Sequence, residues 1–418
     1  MLKGTNLKYA NSYNLRIVLE AIRLHGPLSR MEISKSTHLT AQTVTNITKK
    51  LIKAGLIYES SRQQSGRGAP SIMLRANPES AYSIGVDFDK DHLICVLVDL
   101  NGNISQKIRF EVDYPTPDRA LALITESIHK LINQSGVDRE KIWGIGMGVP
   151  GPMAKIDSGE RLNAIKPQFY PGWDKVPIVK MFEEQLNIPV YIENNAAAAA
   201  IGERWYGAGK HINSFFYIFF GAGLGGGLIL NGQLYPGFEG NAGELGYMPI
   251  FRNVSGHTLS EDSPHLGLYF DLSLLYKELN KQGYHVNTPG KLEKLFQEKE
   301  ETVLQWLKKG AEELTYSILA IEFLIDPETI FFGGRLPGVM INEIIKILKE
   351  QIPRHRIQNF KEMPELKIAK AGENATALGA AILPLYNTFA PVPNLLQKSD
   401  TLYKDSTLGN KDILMNLD

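Results

Sequence analysis

The chain has 418 residues, 43 % hydrophobic and 22 % charged, with 45 basic side chains against 45 acidic ones. This is the composition of a soluble globular protein too long for one ordinary core, so two or three domains are expected. No apolar run approaches the roughly 20 residues of a membrane helix, the N-terminus lacks the apolar core of a signal peptide, and the lone cysteine, Cys95, excludes an internal disulfide; a cytoplasmic protein is expected.

The overall neutrality hides an asymmetry. Residues 1–80 hold 12 basic and 4 acidic side chains, a net of +8, which leaves the remainder at −8. A basic end on an acidic body points to a nucleic-acid partner for that end, with binding that weakens steeply in salt. Residues 1–12 show no core periodicity and read as a mobile segment or an arm that orders on DNA. Leu15, Val18, Leu19 and Ile22 then mark an amphipathic helix ending near His25-Gly26-Pro27. Ser29-Arg30-Met31-Glu32 has capping-box spacing and opens a short helix to about Ser36. Thr40 caps a second helix that runs to Ala54 and stops at Gly55.

In that second helix Val44, Ile47 and Leu51 recur at helical spacing and face inward. Gln42, Thr43, Thr45, Asn46 and Lys49 face outward. Amides, hydroxyls and a cation are the groups that read base edges and phosphates in a major groove. Leu56-Ile57-Tyr58 and Ser71-Ile72-Met73-Leu74 read as two strands, joined by a basic, turn-rich tip holding Arg62, Gly66, Arg67, Gly68 and Pro70. The whole is a winged helix-turn-helix over residues 1–78. Its expected partner is double-stranded operator DNA, and its candidate contacts are Arg30, Thr40, Gln42, Thr43, Thr45, Asn46, Lys49, Arg62 and Arg67. The blander alternative is a small helical module that binds protein.

From about Tyr82 strands and helices alternate. Residues 83–86, 92–99 and 105–112 form a meander with Asn101-Gly102 as a tight turn. Cys95 lies inside the second of these strands as a buried thiol. A helix (120–134), a strand (143–147), a strand (190–193) and a helix (196–206) follow. A second meander begins at Phe215 to Phe220 and Leu228 to Leu230, with helices near 303–325 and 340–351 alternating with strands 329–332 and 366–369. The order β-β-β-α-β-α appears twice, which implies a duplicated α/β body with a cleft between its halves.

Seven motifs occur in order: Gly148-Val149-Pro150-Gly151-Pro152, Pro171-Gly172-Trp173, Glu193-Asn194-Asn195-Ala196, the loop Gly221 to Gly227, the loop Gly240 to Gly246, Phe332-Gly333-Gly334 and Gly379-Ala380-Ala381. Together with the Leu28-Ser29-Arg30 helix start and the Gly66-Arg67-Gly68 wing they resemble the ROK family of sugar kinases and sugar-responsive repressors. The likeness runs from Asn14 to about Leu385. It implies an actin-like ATPase (ribonuclease H-like) body over residues 79–389 that binds a sugar and forms a homodimer or dimer of dimers. Residues 390–418 remain as a polar tail, either disordered or a loose strap.

The departures from the family pattern carry as much information. Kinases of this family have Asp-x-Gly-Gly-Thr at the first strand turn, whereas this chain has Asp87-Phe88-Asp89-Lys90-Asp91. Phe88 is expected to crowd a triphosphate, and Asp89 and Asp91 to repel it. The family's catalytic aspartate is replaced by Asn195, whose amide cannot act as general base. Ala222 stands where a threonine is usual. No phosphotransfer and no cofactor are therefore expected.

The Gly-His and cysteine cluster that binds zinc in many relatives is also missing. Gly246-Tyr247 leads into a cysteine-free segment in which His257, Glu261, Asp262 and His265 fit no zinc spacing, so no metal is expected. Gly151, Asn194, Asn195, Glu244 and Tyr247 remain as effector contacts, although Asn194-Asn195 can equally cap a helix. The Gly221 to Gly227 loop reads as a tight hairpin kept without phosphate. Phe169, Tyr170 and Trp173 are either an aromatic face for a sugar or core. The expected function is a transcriptional repressor controlled by a sugar. Against it stand a sugar kinase with a regulatory head, and a repressor with a vestigial cleft.

Overall fold

The computed structural model describes residues 7–63, 70–154, 164–165, 170, 172–173, 176–250, 265–357 and 361–389. The wing tip with Arg67, residue Phe169, the segment with His257, Glu261 and Asp262, and the tail 390–418 lie outside the described residues.

The head comprises α1 (Leu7–His25), β1 (Leu28–Ser29), α2 (Arg30–Thr37), α3 (Ala41–Lys53), β2 (Ile57–Gln63) and β3 (Ser71–Ala76), its strands ordered β1-β3-β2. The capping box is complete. Ser29 Oγ accepts from Glu32 N at 3.3 Å, and the Glu32 carboxylate accepts from Ser29 N at 2.8 Å. Leu15, Val18, Leu19 and Ile22 bury against Ile33, Val44, Leu51 and Leu74. Contrary to expectation, α1 already includes residues 7–12, and Ser12 is buried. Polar residues at its start conceal the helical period, and packing against the head supplies what periodicity does not.

The head core continues into the body, taking in Ala81, Leu100, Trp143 and Leu385. The head is therefore docked on the body through shared apolar contacts.

The body holds two sheets of matching topology. The first has β4 (Tyr82–Phe88), β5 (His92–Asp99) and β6 (Ile104–Glu111), then α4 (Pro117–Ser135) and β7 (Ile142–Val149). A two-stranded ribbon, β8 (Met153–Ala154) and β9 (Ala164–Ile165), precedes α5 (Ile178–Leu186), β10 (Val190–Asn194) and α6 (Asn195–Tyr206). The second lobe has β11 (Phe215–Phe220), β12 (Leu224–Leu230), β13 (Gln233–Leu234), α7 (Leu272–Lys281), α8 (Pro289–Gln297), α9 (Glu301–Ile325), β14 (Thr329–Gly334), α10 (Gly338–His355), β15 (Glu365–Ile368) and α11 (Ala375–Phe389).

Sheet orders β6-β5-β4-β7-β10 and β13-β12-β11-β14-β15 correspond strand for strand: an antiparallel meander whose first strand is extended by two parallel strands. The duplication read from the sequence is the real architecture. Helices α6 and α11 pack on each other between the sheets. The run Ala196 to Ala200 is buried on every side, and such small residues let α6 approach both neighbours. Each lobe has its own apolar core, and the cleft opens between them.

Candidate functional site

Two regions hold the residues singled out by the sequence. On the head, Thr40 caps α3 by accepting from Thr43 N at 3.2 Å. Its neighbours present a polar row to solvent: Gln42, Asn46 and Lys49 are exposed, and Thr43 and Thr45 half-exposed. Gln42 Nε2 donates to Asn46 Oδ1 at 3.3 Å, a weak contact that DNA bases can replace. Thr45 Oγ1 donates back to Ala41 O at 2.8 Å. Arg62 is exposed on β2. Arg30 is committed elsewhere. Its guanidinium donates to Thr48 Oγ1 at 3.0 Å and to Glu59 Oε1 at 3.1 Å, bracing α2 against α3 and β2.

The cleft contains a cavity of about 270 Å³, lined among others by Asp89, Lys90, Gly151, Asn194, Asn195, Glu244, Tyr247 and His265. All five residues proposed as effector contacts converge on it. They come from the ends of β7 and β10 and the start of α6 in one lobe and from the loop after β13 in the other. That loop is pinned by Asn241, whose amide accepts from Met153 N at 2.8 Å and donates to Met153 O at 3.1 Å, which brings Glu244 over the first lobe. Gly151 leaves room for both side chains: a Cβ there would lie 2.2 Å from Asn194 Nδ2 and 2.7 Å from Glu244 Oε1, so one or both would have to move.

The two asparagines play narrower roles than expected. Asn194 Oδ1 caps α6 by accepting from Ala196 N at 2.8 Å and Ala197 N at 3.2 Å, so capping and cleft lining coexist. Its Nδ2 is the group that points at Gly151. Asn195 is almost buried, accepts from Ala196 N at 2.8 Å and donates to Asp89 Oδ2 at 3.1 Å. Both ends of the Asn195 amide are thus engaged, and its main effect on the cavity is to hold Asp89.

Asp89 is a cavity residue in its own right. Burial and then the charge of Asp91 push its carboxyl up to about 6. His265, which carried no motif signal, closes the opposite wall. Its Nδ1 donates to Gly246 O at 2.9 Å, and its ring lies 5.8 Å from that of Tyr247. The Tyr247 phenol is raised by burial and by the nearby Glu244 charge, so it is a neutral hydroxyl donor.

Beside the cavity the Asp87 turn holds a feature invisible in sequence order. His92, wholly buried, donates Nε2 to Asp87 Oδ2 at 3.0 Å and Nδ1 to Asp91 Oδ1 at 2.7 Å. Burial alone would lower its pKa, but the Asp87 charge and the two hydrogen bonds outweigh this and hold it up to about 10. Arg335, from the loop after β14 in the other lobe, is buried and ion-paired to the second Asp91 oxygen, with Glu111 at 3.9 Å. Burial opposes the Asp91 charge, yet the His92 hydrogen bond and the Arg335 cation bring its carboxyl down to about 2. A single ionic chain, Asp87–His92–Asp91–Arg335, therefore ties the β4–β5 turn of one lobe to the β14–α10 loop of the other.

Asp89, Asp91 and His92 also form a three-ligand group within 4.8 Å of one another. Both His92 nitrogens are already hydrogen-bonded and Arg335 flanks Asp91, so this donor set fits an ion pair better than a metal.

One expectation needs correction. Phe88 does not crowd the cavity. It continues the inward face of Ile84 and Val86, is fully buried, and packs on Trp173 and Tyr170 with centroids 4.8 and 5.5 Å away. Tyr170 and Trp173 in turn are core, the indole donating to Pro115 O at 2.9 Å. What occupies the turn is charge, through Asp89, Asp91 and their partners. The glycine loop is a tight hairpin between β11 and β12, and at Gly227 a Cβ would meet Ala200 at 2.5 Å, so helix–sheet packing accounts for that glycine.

Comparison with known proteins agrees with this architecture. The ROK family model matches residues 83–386, and a MarR family model matches residues 16–68. The xylose repressor of Bacillus spizizenii is 32 % identical over 244 residues, covering 58 % of this chain and 62 % of that protein. The xylose repressor of Caldicellulosiruptor bescii is 27 % identical over 386 residues, covering 88 % of this chain and 94 % of that one. Among solved structures, a ROK family transcriptional regulator described as a homolog of the E. coli MLC protein aligns with a TM-score of 0.72 at 19 % identity, covering 94 % of this chain and 99 % of that chain.

Proposed function

The chain belongs to the ROK family, and on that premise we propose that it is a DNA-binding transcriptional repressor governed by a sugar held in the interlobe cleft. One observation carries the reading: the polar, solvent-facing row of α3 sits on a head whose core is continuous with the body that bears the cleft. A ligand that changes the body can therefore change the placement of the recognition helix. To switch operator binding it must bind two arrangements of the body with different free energies.

The cavity lining suits a neutral, hydroxyl-rich ligand. Asp89 and Glu244 accept hydroxyl hydrogens, and Asn194 Nδ2 and the Tyr247 hydroxyl donate. Three carboxylates, Asp89, Glu244 and Asp271, against the single cation Lys90 disfavour a phosphorylated sugar there. Phosphotransfer is lost on this reading. Asn195 supplies no base, and the ionic chain around Asp91 places carboxylates where a nucleotide phosphate would approach. The repressor acts in the cytoplasm as a homodimer, two heads reading two half-sites.

The test is fluorescence anisotropy on the DNA upstream of the chain's own gene, at several salt concentrations and with a panel of neutral sugars. Tight, salt-sensitive binding altered by one sugar is the expected result. DNA binding indifferent to every sugar would remove the effector role of the cleft, and ATP-dependent phosphorylation of a sugar would restore the kinase reading.

A further inference from the structure

A second cavity, of about 620 Å³, lies along the seam between head and body. Head residues Arg23, Tyr58 and Arg75 form one wall; Asn101 to Asn103, Trp205, Tyr206 and Lys210 form the other. Its size falls within the range of about 300–1,000 Å³ typical of small-molecule sites. The lining contains three cations and no carboxylate.

The charges around it do not cancel. Arg23 is paired with Glu20 through two hydrogen bonds, at 2.8 and 2.9 Å, and stacks 3.7 Å above the Trp205 ring. The oxygens of Asp99, behind Asn101 and Asn103, are taken by the Asn101 and Asn103 amides at 2.9 Å and by Asn103 Nδ2 at 2.8 Å. Arg75 and Lys210 have no hydrogen-bond or ion-pair partner for their side chains among the described residues. Burial lowers the Lys210 pKa, with the Arg23 charge adding to the effect. Arg204 lies in the same field, and its buried Nε has no partner; nor has the buried Tyr206 hydroxyl. Arg75 is exposed and Lys210 half-buried, so both cations can be reached by an anion entering the seam from solvent.

We propose that this seam binds a phosphate-bearing anion, with Arg75 from the head and Lys210 from the body as its charged contacts. The cleft, lined by carboxylates, and the seam, lined by cations, then take ligands of opposite character. Because one contact comes from each side, the anion clamps the head against the body. That consequence for DNA rests on the proposed repressor function, whereas anion binding itself does not.

The experiment is isothermal titration of the full chain at fixed ionic strength with glucose 6-phosphate and with inorganic phosphate, glucose serving as the neutral control. Both phosphates are expected to bind. A tenfold preference for the ester would show that the organic part is also held, and equal affinity would assign the site to the free anion. The paired variant Arg75→Gln/Lys210→Gln should weaken phosphate binding roughly tenfold or more. The charge-keeping pair Arg75→Lys/Lys210→Arg should retain it, and Glu244→Gln in the cleft should leave it unchanged.

Absence of phosphate binding to the wild type, or equal binding by the Gln pair, overturns the proposal. So does loss of phosphate binding in the Glu244 variant. Operator affinity measured without phosphate tests the repressor reading independently. Phosphate should then shift that affinity in the wild type but not in the Gln pair.

Discussion

Replacing Arg335 by methionine removes one charge from the only ionic tie between lobes found at the Asp87 turn among the described residues, while keeping most of the side-chain volume. The expected effect follows from the Asp91 carboxyl, which is held at about 2 instead of 3.8. That difference corresponds to about 2 kcal/mol of preference for the charged form. The His92 hydrogen bond supplies the larger part, and Asp91 is one-third exposed, so solvent screens the rest. About 1 kcal/mol is left for Arg335 itself, well below the roughly 3–5 kcal/mol seen when fully buried pairs lose a partner.

The appropriate assay is a double-mutant cycle of Arg335→Met and Asp91→Asn, read by urea denaturation at pH 7. Coupling of about 1 kcal/mol is the expected outcome. Additivity within about 0.5 kcal/mol would mean that the two charges do not communicate, and the interlobe tie would have to be abandoned.

Four further outcomes are expected. Asn46→Ala should cost about 1–3 kcal/mol of operator discrimination, whereas Lys49→Ala should weaken all sequences alike and flatten the salt slope by about 1; anisotropy across salt concentrations separates the two. Gly151→Ala, whose Cβ would strike Asn194 and Glu244, should reduce the sugar response about tenfold or more while operator affinity stays unchanged. Asn195→Asp should not create a kinase in an ATP-coupled assay, because the new carboxylate would face Asp89, now 3.1 Å from the amide, and raise that group further.

The pH response has two limbs. The folded pKa of His92, about 10, lies above its ordinary 6.5, so its stabilisation is complete below about 6.5 and fades as pH rises through 10. Asp89, at about 6 against 3.8, keeps a proton that the unfolded chain releases, so stability declines between those values as pH rises. Thermal melts of the wild type and Asp89→Asn from pH 4 to 7 should differ in that slope, and identical slopes would exclude Asp89 as its source.

How much of this was legible beforehand varies by element. The capping box at Ser29, the Val44-Ile47-Leu51 stripe and the apolar strand runs are local signals, and the head and the strands of both meanders follow from them. The duplicated order of elements was readable because each lobe repeats the same local patterns. Helix α11 carried no helical period, since Ala377, Ala380, Ala381 and Leu385 bury it on several sides and no polar face remains. Helix α8, by contrast, carries a local start signal in Thr288-Pro289. The direction of Phe88 was also available, because the period-2 alternation of β4 puts it in phase with Ile84 and Val86.

The rest belongs to tertiary structure alone. Arg335 lies more than 240 residues from Asp91, and no local pattern can announce a partner at that distance. The same holds for His265 against Gly246, and for the seam cavity that Arg75 and Lys210 line together. The sequence determined which residues are polar, cationic or small. Only the folded chain decided which of them meet, because a charge acquires its partner, its burial and its pKa from neighbours that the fold brings together.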